Sequence, residues 1–236
     1  METRFRFLAP PSQCPYLEDK TWQLEYEIVR SLTPEELHKR INEGWRKFGY
    51  ALFRPRCPSC SACQSIRVLV NQFQPDRSQR RVTKANANTR LEIGTPSIDA
   101  QKVDLYMRHH LHHAATKGWH RPSLDHAVDH IASFEQSPFP LQEWCYFIDD
   151  QLVSVSYIDV LPDGYSGVYF YHAPEHRDLS LGTWIVLSMI QQAAKLSLPY
   201  IYLGYFVRDC RSMEYKGRFK PSETIGTDGN WQPFAL

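Results

Sequence analysis

Cys57-Pro58-Ser59-Cys60-Ser61-Ala62-Cys63 places three thiols at i, i+3 and i+6, with Cys14 a candidate fourth from upstream. Thiolates at this spacing can converge on one soft metal, zinc or an iron-sulfur cluster. The same spacing suits a turn that packs small buried thiols, and the sequence leaves both readings open. His109, His110, His112, His113, His126 and His130 include pairs at i, i+4. No acid accompanies them in a metalloprotease arrangement, so they read as a partly solvated helix face. Between Arg67 and Arg90 six basic residues face one acid, Asp76. Within that stretch Arg77, Arg80, Arg81 and Lys84 interleave with Ser78, Gln79 and Asn86, a mixture suited to phosphate and sugar contacts. A second basic stretch carries Arg208, Arg211, Lys216, Arg218 and Lys220 against Asp209 and Glu214.

Elements of regular period must position these groups. Trp22, Leu24, Tyr26 and Ile28 alternate with polar residues, the pattern of a half-buried strand. Thr33-Pro34-Glu35-Glu36 then caps a helix predicted to reach about Phe48, with Leu37, Ile41, Trp45 and Phe48 on one face. Strands are predicted at 50–53 and 65–73, with the cysteine turn between them. Helices follow from Ser78 to near Asn86 or Asn88, from Asp99 to Thr116 and from Leu124 to about Phe134. The segments 144–148, 151–160 and 165–172 are rich in β-branched and aromatic residues and are separated by Asp149-Asp150 and Pro162-Asp163-Gly164, which reads as an antiparallel meander. A helix over 181–195 is apolar nearly all round and so deeply buried, and a strand over 200–207 follows. The order of meander, glycine-bearing loop, buried helix and strand resembles the core of GNAT-like acyltransferases. Ser180-Leu181-Gly182-Thr183 opens that helix, and its free N–H groups can bind an anion.

The chain has 236 residues, 42% of them hydrophobic, enough to bury a sizeable core. Nothing at the start reads as an export signal, and no apolar run is long enough to span a bilayer. A cytoplasmic protein with reduced thiols and no membrane partner is expected. The net charge of +1 argues against indiscriminate coating of DNA or other nucleic acid, while the two basic stretches permit a specific anionic partner.

Several blocks, in order along the chain, resemble a known family. They are Cys14-Pro15-Tyr16-Leu17; Phe53-Arg54-Pro55-Arg56-Cys57 with the two cysteines after it; and the run from Phe73 to Arg81. Tyr169-Phe170-Tyr171, Arg177 with Leu179 to Thr183, Tyr202-Leu203-Gly204-Tyr205 and Met213-Glu214-Tyr215-Lys216 complete the set. Together they resemble the arginyl-tRNA-protein transferases, and most closely their short bacterial relatives, the aspartate/glutamate leucyltransferases. The resemblance implies an α+β fold, with a small cysteine-bearing α/β subdomain over 1–95 joined to a GNAT-like aminoacyltransferase domain over 96–236. It also implies transfer of an aminoacyl group from aminoacyl-tRNA to proteins with N-terminal Asp or Glu, marking them for degradation in an N-degron pathway. The short length favours leucine as the group transferred, with arginine the alternative.

For such a reaction the ester is already activated, so the enzyme chiefly holds a neutral amine against it and stabilises the oxyanion. No cofactor is required for that chemistry. Asp159 and Tyr157 are candidates to orient or deprotonate the amine, and Ser166, Tyr169 and Tyr171 to donate hydrogen bonds to ester or sugar. Strand packing is the competing role for the tyrosines. Arg177, Ser180, Gly182, Tyr205 and Lys216 are candidates for the tRNA 3′ end. Arg54, Arg77, Arg80 and Arg81 compete for the acceptor carboxylate and for tRNA phosphates. A coenzyme-A-dependent acetyltransferase and a non-catalytic tRNA- or degron-binding adaptor are the rival readings, and the first explains neither the arginine block nor the cysteine turn.

Overall fold

The computed structural model of the chain describes residues 1–137 and 139–235. The chain opens with β1 (Glu2–Leu8), a short pair β2 (Ser12–Gln13) and β3 (Thr21–Trp22), and β4 (Leu24–Ser31). Helix α1 (Pro34–Asn42) follows, started by a capping box: Glu36 N–H donates to Thr33 Oγ1 at 3.3 Å, and Thr33 N–H donates to the Glu36 carboxylate at 2.9 Å. Its end departs from the expected Phe48. Gly44 takes φ +82° and turns the chain, and 46–48 become a strand, β5 (Arg46–Phe48), that pairs with β6 (Ala51–Pro55). Leu37 and Ile41 are buried from the helix, as their spacing predicts, but Trp45 is buried from the extended segment beyond it. Glycine at a left-handed helix exit is the stop signal that outweighed the apolar spacing.

Strands β1, β4, β6 and β5 form a four-stranded sheet in that order. The chain then supplies β7 (Gln64–Leu69), α2 (Arg77–Ala85), β8 (Arg90–Gly94), α3 (Ala100–Lys117) and α4 (Leu124–Glu135). The meander follows as β9 (Leu141–Ile148), β10 (Gln151–Leu161) and β11 (Gly164–His172). Helix α5 (Leu181–Lys195), β12 (Tyr200–Phe206), α6 (Arg211–Glu214), β13 (Ser222–Ile225) and β14 (Trp231–Pro233) complete the chain. An eight-stranded sheet runs β14-β13-β7-β12-β11-β10-β9-β8. Strands β1, β8, β13 and β14 were not foreseen; β8 is mostly exposed and β14 is three residues long, so neither carries a clear alternating signal.

The boundary expected near residue 95 does not coincide with a break in this sheet. β7 and β8, both before it, are strands of the eight-stranded sheet, and β7 lies between β12 and β13. A hydrophobic cluster of Val29, Leu37, Ile41, Trp45 and Leu52 also includes Phe139, Leu161 of β10 and Tyr202 of β12, which ties the four-stranded sheet to the eight-stranded one.

The main core packs the meander between helices. Tyr157 and Tyr171 face α3 and α4, where Phe134 stacks on Tyr157 at 3.8 Å between centroids and Tyr106 meets Tyr171 edge-on. Tyr146 points to the other face and its hydroxyl bonds Ser188 of α5 at 2.7 Å. Nine residues of α5 are buried, including Trp184, Ile185, Leu187 and Ile190, as its all-round apolar character requires.

Candidate active site

Strands β11 and β12 run parallel but pair only from Gly164↔Tyr200 to Ser166↔Tyr202, and then diverge. The register of β12 against β7 slips between Tyr202 and Gly204, and Gly204 takes φ +78°, which disfavours any residue with a Cβ. The divergence opens a cavity of about 220 Å³. Ile158, Val168, Ile185, Val186, Met189 and Leu203 give it apolar walls; Tyr16, Arg46, Ser156, Tyr205, Tyr215 and Lys216 add polar groups. A site of this kind, apolar with few convergent polar groups, suits a small ligand or a side chain.

Two cations reach this cavity from different parts of the chain. Arg46 of β5, 9% exposed, donates from Nη1 to Ser166 Oγ at 3.0 Å and from Nη2 to the Gly167 carbonyl, one of the backbone groups beyond the last paired residues of β11. Lys216, 8% exposed, donates to the Tyr205 carbonyl at 2.7 Å. Burial, with the Arg46 charge adding to it, pulls the Lys216 pKa down to about 7. Burial likewise lowers the Arg46 pKa from its ordinary value. Tyr205 hydroxyl donates to the Gly44 carbonyl at 2.9 Å and so clips β12 to the turn that creates β5.

Beyond Tyr16 and Tyr205 lies a larger cavity of about 440 Å³, lined by Cys14, Cys57, Cys60 and Cys63 together with Arg54 and Trp22. All four cysteines are free and half-buried. Burial, with the neighbouring thiols adding to it, pushes the Cys63 thiol up to about 12, so it is a protonated thiol here. Among the described residues no three side chains are placed to hold one metal ion. The larger volume is the more open and polar of the two cavities; the smaller one, where backbone pairing breaks, has the walls and charges that chemistry needs.

The other anticipated residues are dispersed. Asp159 is 1% exposed and lies 3.0 Å from Lys47 Nζ, an ion pair closed off from the cavity. Burial raises its pKa above the ordinary value, with Lys47 opposing. Tyr157 and Tyr171 are fully buried on the far face of the sheet, and burial drives both phenols up. Tyr169 borders the cavity, but its ring packs with Tyr106, His130 and Phe134 on the α3/α4 side and its hydroxyl bonds His110 Nε2 at 2.6 Å. Ser166 is buried under Arg46. Arg54 is held by Glu25 at 2.7 Å and lies over the Trp45 ring.

Arg77, Arg80 and Arg81 are exposed on α2, whose capping box, Asp76 with Gln79, fixes its start. Asn86 at the end of α2 donates to the Leu179 carbonyl at 2.8 Å, so this basic helix abuts the loop that carries Arg177 and Ser180. Arg177 is exposed and contacts His112. Ser180, at φ +50°, starts α5 without a side-chain cap, and Gly182 is half-buried in the first turn. The α5 N-terminus therefore offers backbone N–H groups to an anion.

Arg46 is the residue that sequence reasoning missed. A helix drawn to Phe48 puts Arg46 and Lys47 on its solvated side; the glycine at 44 was the signal that both lie in a strand.

Residues 12–81 match the family model described as the arginine-tRNA-protein transferase N terminus, and residues 101–226 match the one for its C terminus. The chain belongs to this family. Both matched parts line the 220 Å³ cavity, the first through Tyr16, Arg46 and Phe53 and the second through most of the remaining wall. The transferase is 37% identical over 225 residues to the aspartate/glutamate leucyltransferase of Campylobacter jejuni subsp. jejuni serotype O:23/36 (strain 81-176), covering 93% of this chain and 92% of that one. It is 33% identical over 234 residues to the aspartate/glutamate leucyltransferase of Marinobacter nauticus (strain ATCC 700491 / DSM 11845 / VT8), covering 98% and 97%. Among solved structures, L-PGS from Bacillus licheniformis superposes with a TM-score of 0.52 at 8% identity, covering 92% of this chain and 82% of that one, a likeness of fold alone. The fold is mixed α+β, and the meander, loop, buried helix and following strand, parallel to β11, come in the order expected.

Proposed function

We propose that this transferase moves leucine from leucyl-tRNA to the α-amine of proteins that begin with Asp or Glu, marking them for degradation. The observation that carries the choice of leucine is the cavity between the diverging strands. Its walls of Ile158, Val168, Met189 and Leu203 suit a branched apolar side chain. Its two cations oppose an arginyl group, since like charges 4 Å apart repel by about 4 kcal/mol at an effective dielectric near 20. The names of the leucyltransferase relatives support the same reading.

In the reaction the amine nitrogen attacks the ester carbonyl, the new C–N bond forms, and the C–O bond to the terminal ribose breaks. The amine's proton ends on the departing ribose oxygen, directly or through the neighbouring hydroxyl. An α-amine has an ordinary pKa of about 7.7–8.0, so a usable fraction is neutral without a strong side-chain base. Tyr205 shapes the end of the cavity; Tyr169, whose hydroxyl is bound to His110 on the α3/α4 side, packs there with Phe134 and Tyr171. Ser166 acts through Arg46, which it helps hold; Asp159 pairs with Lys47, and Tyr157 and Tyr171 pack behind the sheet. Arg77, Arg80 and Arg81 take tRNA phosphates, while Arg177, Ser180 and Gly182 take the 3′ end at the α5 N-terminus.

The test incubates purified protein with labelled leucyl-tRNA or arginyl-tRNA and peptides that differ only in starting with Asp, Glu or Ala. Leucine on the Asp and Glu peptides alone is expected. Arginine transfer instead, or transfer from neither tRNA, overturns the reading.

The shared cavity of Cys14, Cys57, Cys60 and Cys63 supports a separate proposal, that these thiols take a soft metal, zinc or an iron-sulfur cluster, for structural closure. Their present separation does not enclose an ion, and no step of transfer runs through one. Elemental analysis and visible absorbance of protein purified under reducing conditions test it; a metal-free, fully folded and active preparation overturns it.

A further inference from the structure

Arg46 and Lys216 are both more than nine-tenths buried, they share one cavity, and every acceptor they use inside the protein is neutral. Arg46 bonds Ser166 Oγ and the Gly167 carbonyl; Lys216 bonds the Tyr205 carbonyl at 2.7 Å and meets Met213 Sδ at 3.2 Å. Among the described residues no carboxylate lies within 4.0 Å of either cation. The nearby acid, Asp159, is held by Lys47. Buried charges in folded proteins are normally paired, because desolvation without a counter-ion is costly. The depressed Lys216 pKa is one sign of that cost. Packing alone gives no reason to keep two such groups, since apolar residues of similar size would serve stability as well.

The backbone is shaped to admit Arg46. A Cβ at Gly204 would stand 3.3 Å from the guanidinium carbon, so the glycine of Tyr202-Leu203-Gly204-Tyr205 makes room for it. A guanidinium has five N–H donors, and the two bonds inside the protein leave others free for a ligand.

We propose that Arg46 and Lys216 together read the acceptor, binding the side-chain carboxylate of its N-terminal Asp or Glu. The inference rests on the leucyl-transfer reading and deepens it. A guanidinium fork with a point charge beside it is matched to a carboxylate. The cavity admits the tip of a side chain but not a phosphodiester backbone, which fits the exposed arginines of α2 instead. Arg54 already holds Glu25. The pair also lies where the two substrates must meet: the acceptor's carboxylate, a few bonds from its α-amine, is fixed in the cavity whose apolar walls take the leucyl group.

The experiment measures transfer from labelled leucyl-tRNA to peptides that differ only in starting with Asp, Asn, Glu or Gln. Wild-type protein that transfers leucine to no peptide overturns the functional reading and this inference with it. Given wild-type transfer, Arg46→Met and Lys216→Met should each lower the Asp-over-Asn ratio of kcat/KM by about ten-fold or more, with the KM for leucyl-tRNA within about two-fold of wild type. An unchanged ratio in folded variants, with a raised KM for leucyl-tRNA, overturns the inference by assigning the pair to the donor.

Because Arg46 also ties β5 to β11, a second measurement uses only wild-type protein. Calorimetry of Asp and Asn peptides binding beside uncharged tRNA, at pH 8 in buffers of different ionisation enthalpy, reads proton uptake. The Asp peptide should bring in roughly half to one proton more than the Asn peptide, as Lys216 recharges opposite the carboxylate. Equal uptake by the two peptides overturns the inference.

Discussion

Asp159 and Lys47 meet at 3.0 Å with almost no exposure, so each makes the other's charge tolerable. Asp159→Asn leaves the lysine buried without its partner and should cost about 3–5 kcal/mol of stability. The double variant Lys47→Met/Asp159→Leu should recover most of that, since it removes both charges. Urea unfolding of the two variants checks this; a stable Asp159→Asn protein that has lost only turnover would return Asp159 to the chemistry. A second residue-level effect concerns acid. Burial, with the His172 and neighbouring histidine charges adding to it, lowers the His109 pKa to about 3. The unfolded chain takes up a proton near pH 6.5 while the folded one does not, so stability falls as pH drops below 6.5. The slope for this histidine is about 1.4 kcal/mol per pH unit, or about 2 kcal/mol between pH 6.5 and 5. Equal urea midpoints at pH 7 and pH 5 would contradict it. His130, lowered to about 4 by burial, acts in the same direction.

Helix α2 makes the clearest link from sequence to partner. Its capping box sets the first turn, Gln79 faces inward to bond the Arg218 carbonyl at 3.1 Å, and Asn86 locks its end to the α5 loop. What remains outside is a set of arginines with no acid to pair them among the described residues; on the proposed assignment to tRNA, each phosphate they neutralise would add to the salt dependence of binding. Replacing Arg77, Arg80 and Arg81 together by Gln should raise the KM for leucyl-tRNA and reduce the slope of log affinity against log salt by about 2. Titrations at several salt concentrations check the slope. The Asp-over-Asn preference should stay unchanged in this variant, because no acceptor contact is lost.

Across the whole molecule, the cavity between β11 and β12 needs strands that the sequence separates widely. β7 fills the place between β12 and β13, and β8 covers the outer edge of β9. A fragment of residues 96–236 would lose both strands, and with them Arg46, Tyr16 and Phe53 from the cavity wall. It should fail to unfold cooperatively on heating, whereas the full chain should give a single transition. A cooperative, soluble 96–236 fragment would show that the C-terminal part holds its own core. No helix among the described residues is long and apolar enough to cross a membrane.

Local chemistry made much of this legible in advance. The Thr33-Pro34 start of α1, the Gly118 end of α3 and the apolar run of α5 each act within a few residues, so period and caps identify them; the expected start of α2 at Ser78 leaves out the Asp76–Gln79 cap, which sets it at Arg77. The ordered blocks from Cys14 to Lys216 likewise pointed to the family before any coordinates. The site was less legible, because its parts become neighbours only through pairing at long range. That β11 and β12 separate after Ser166, that Arg46 fills the opening, and that Asp159 turns from it toward Lys47 depend on register, a left-handed glycine and the packing of one sheet on another. Periodicity tells a side chain which face it takes; only the folded chain decides what stands opposite.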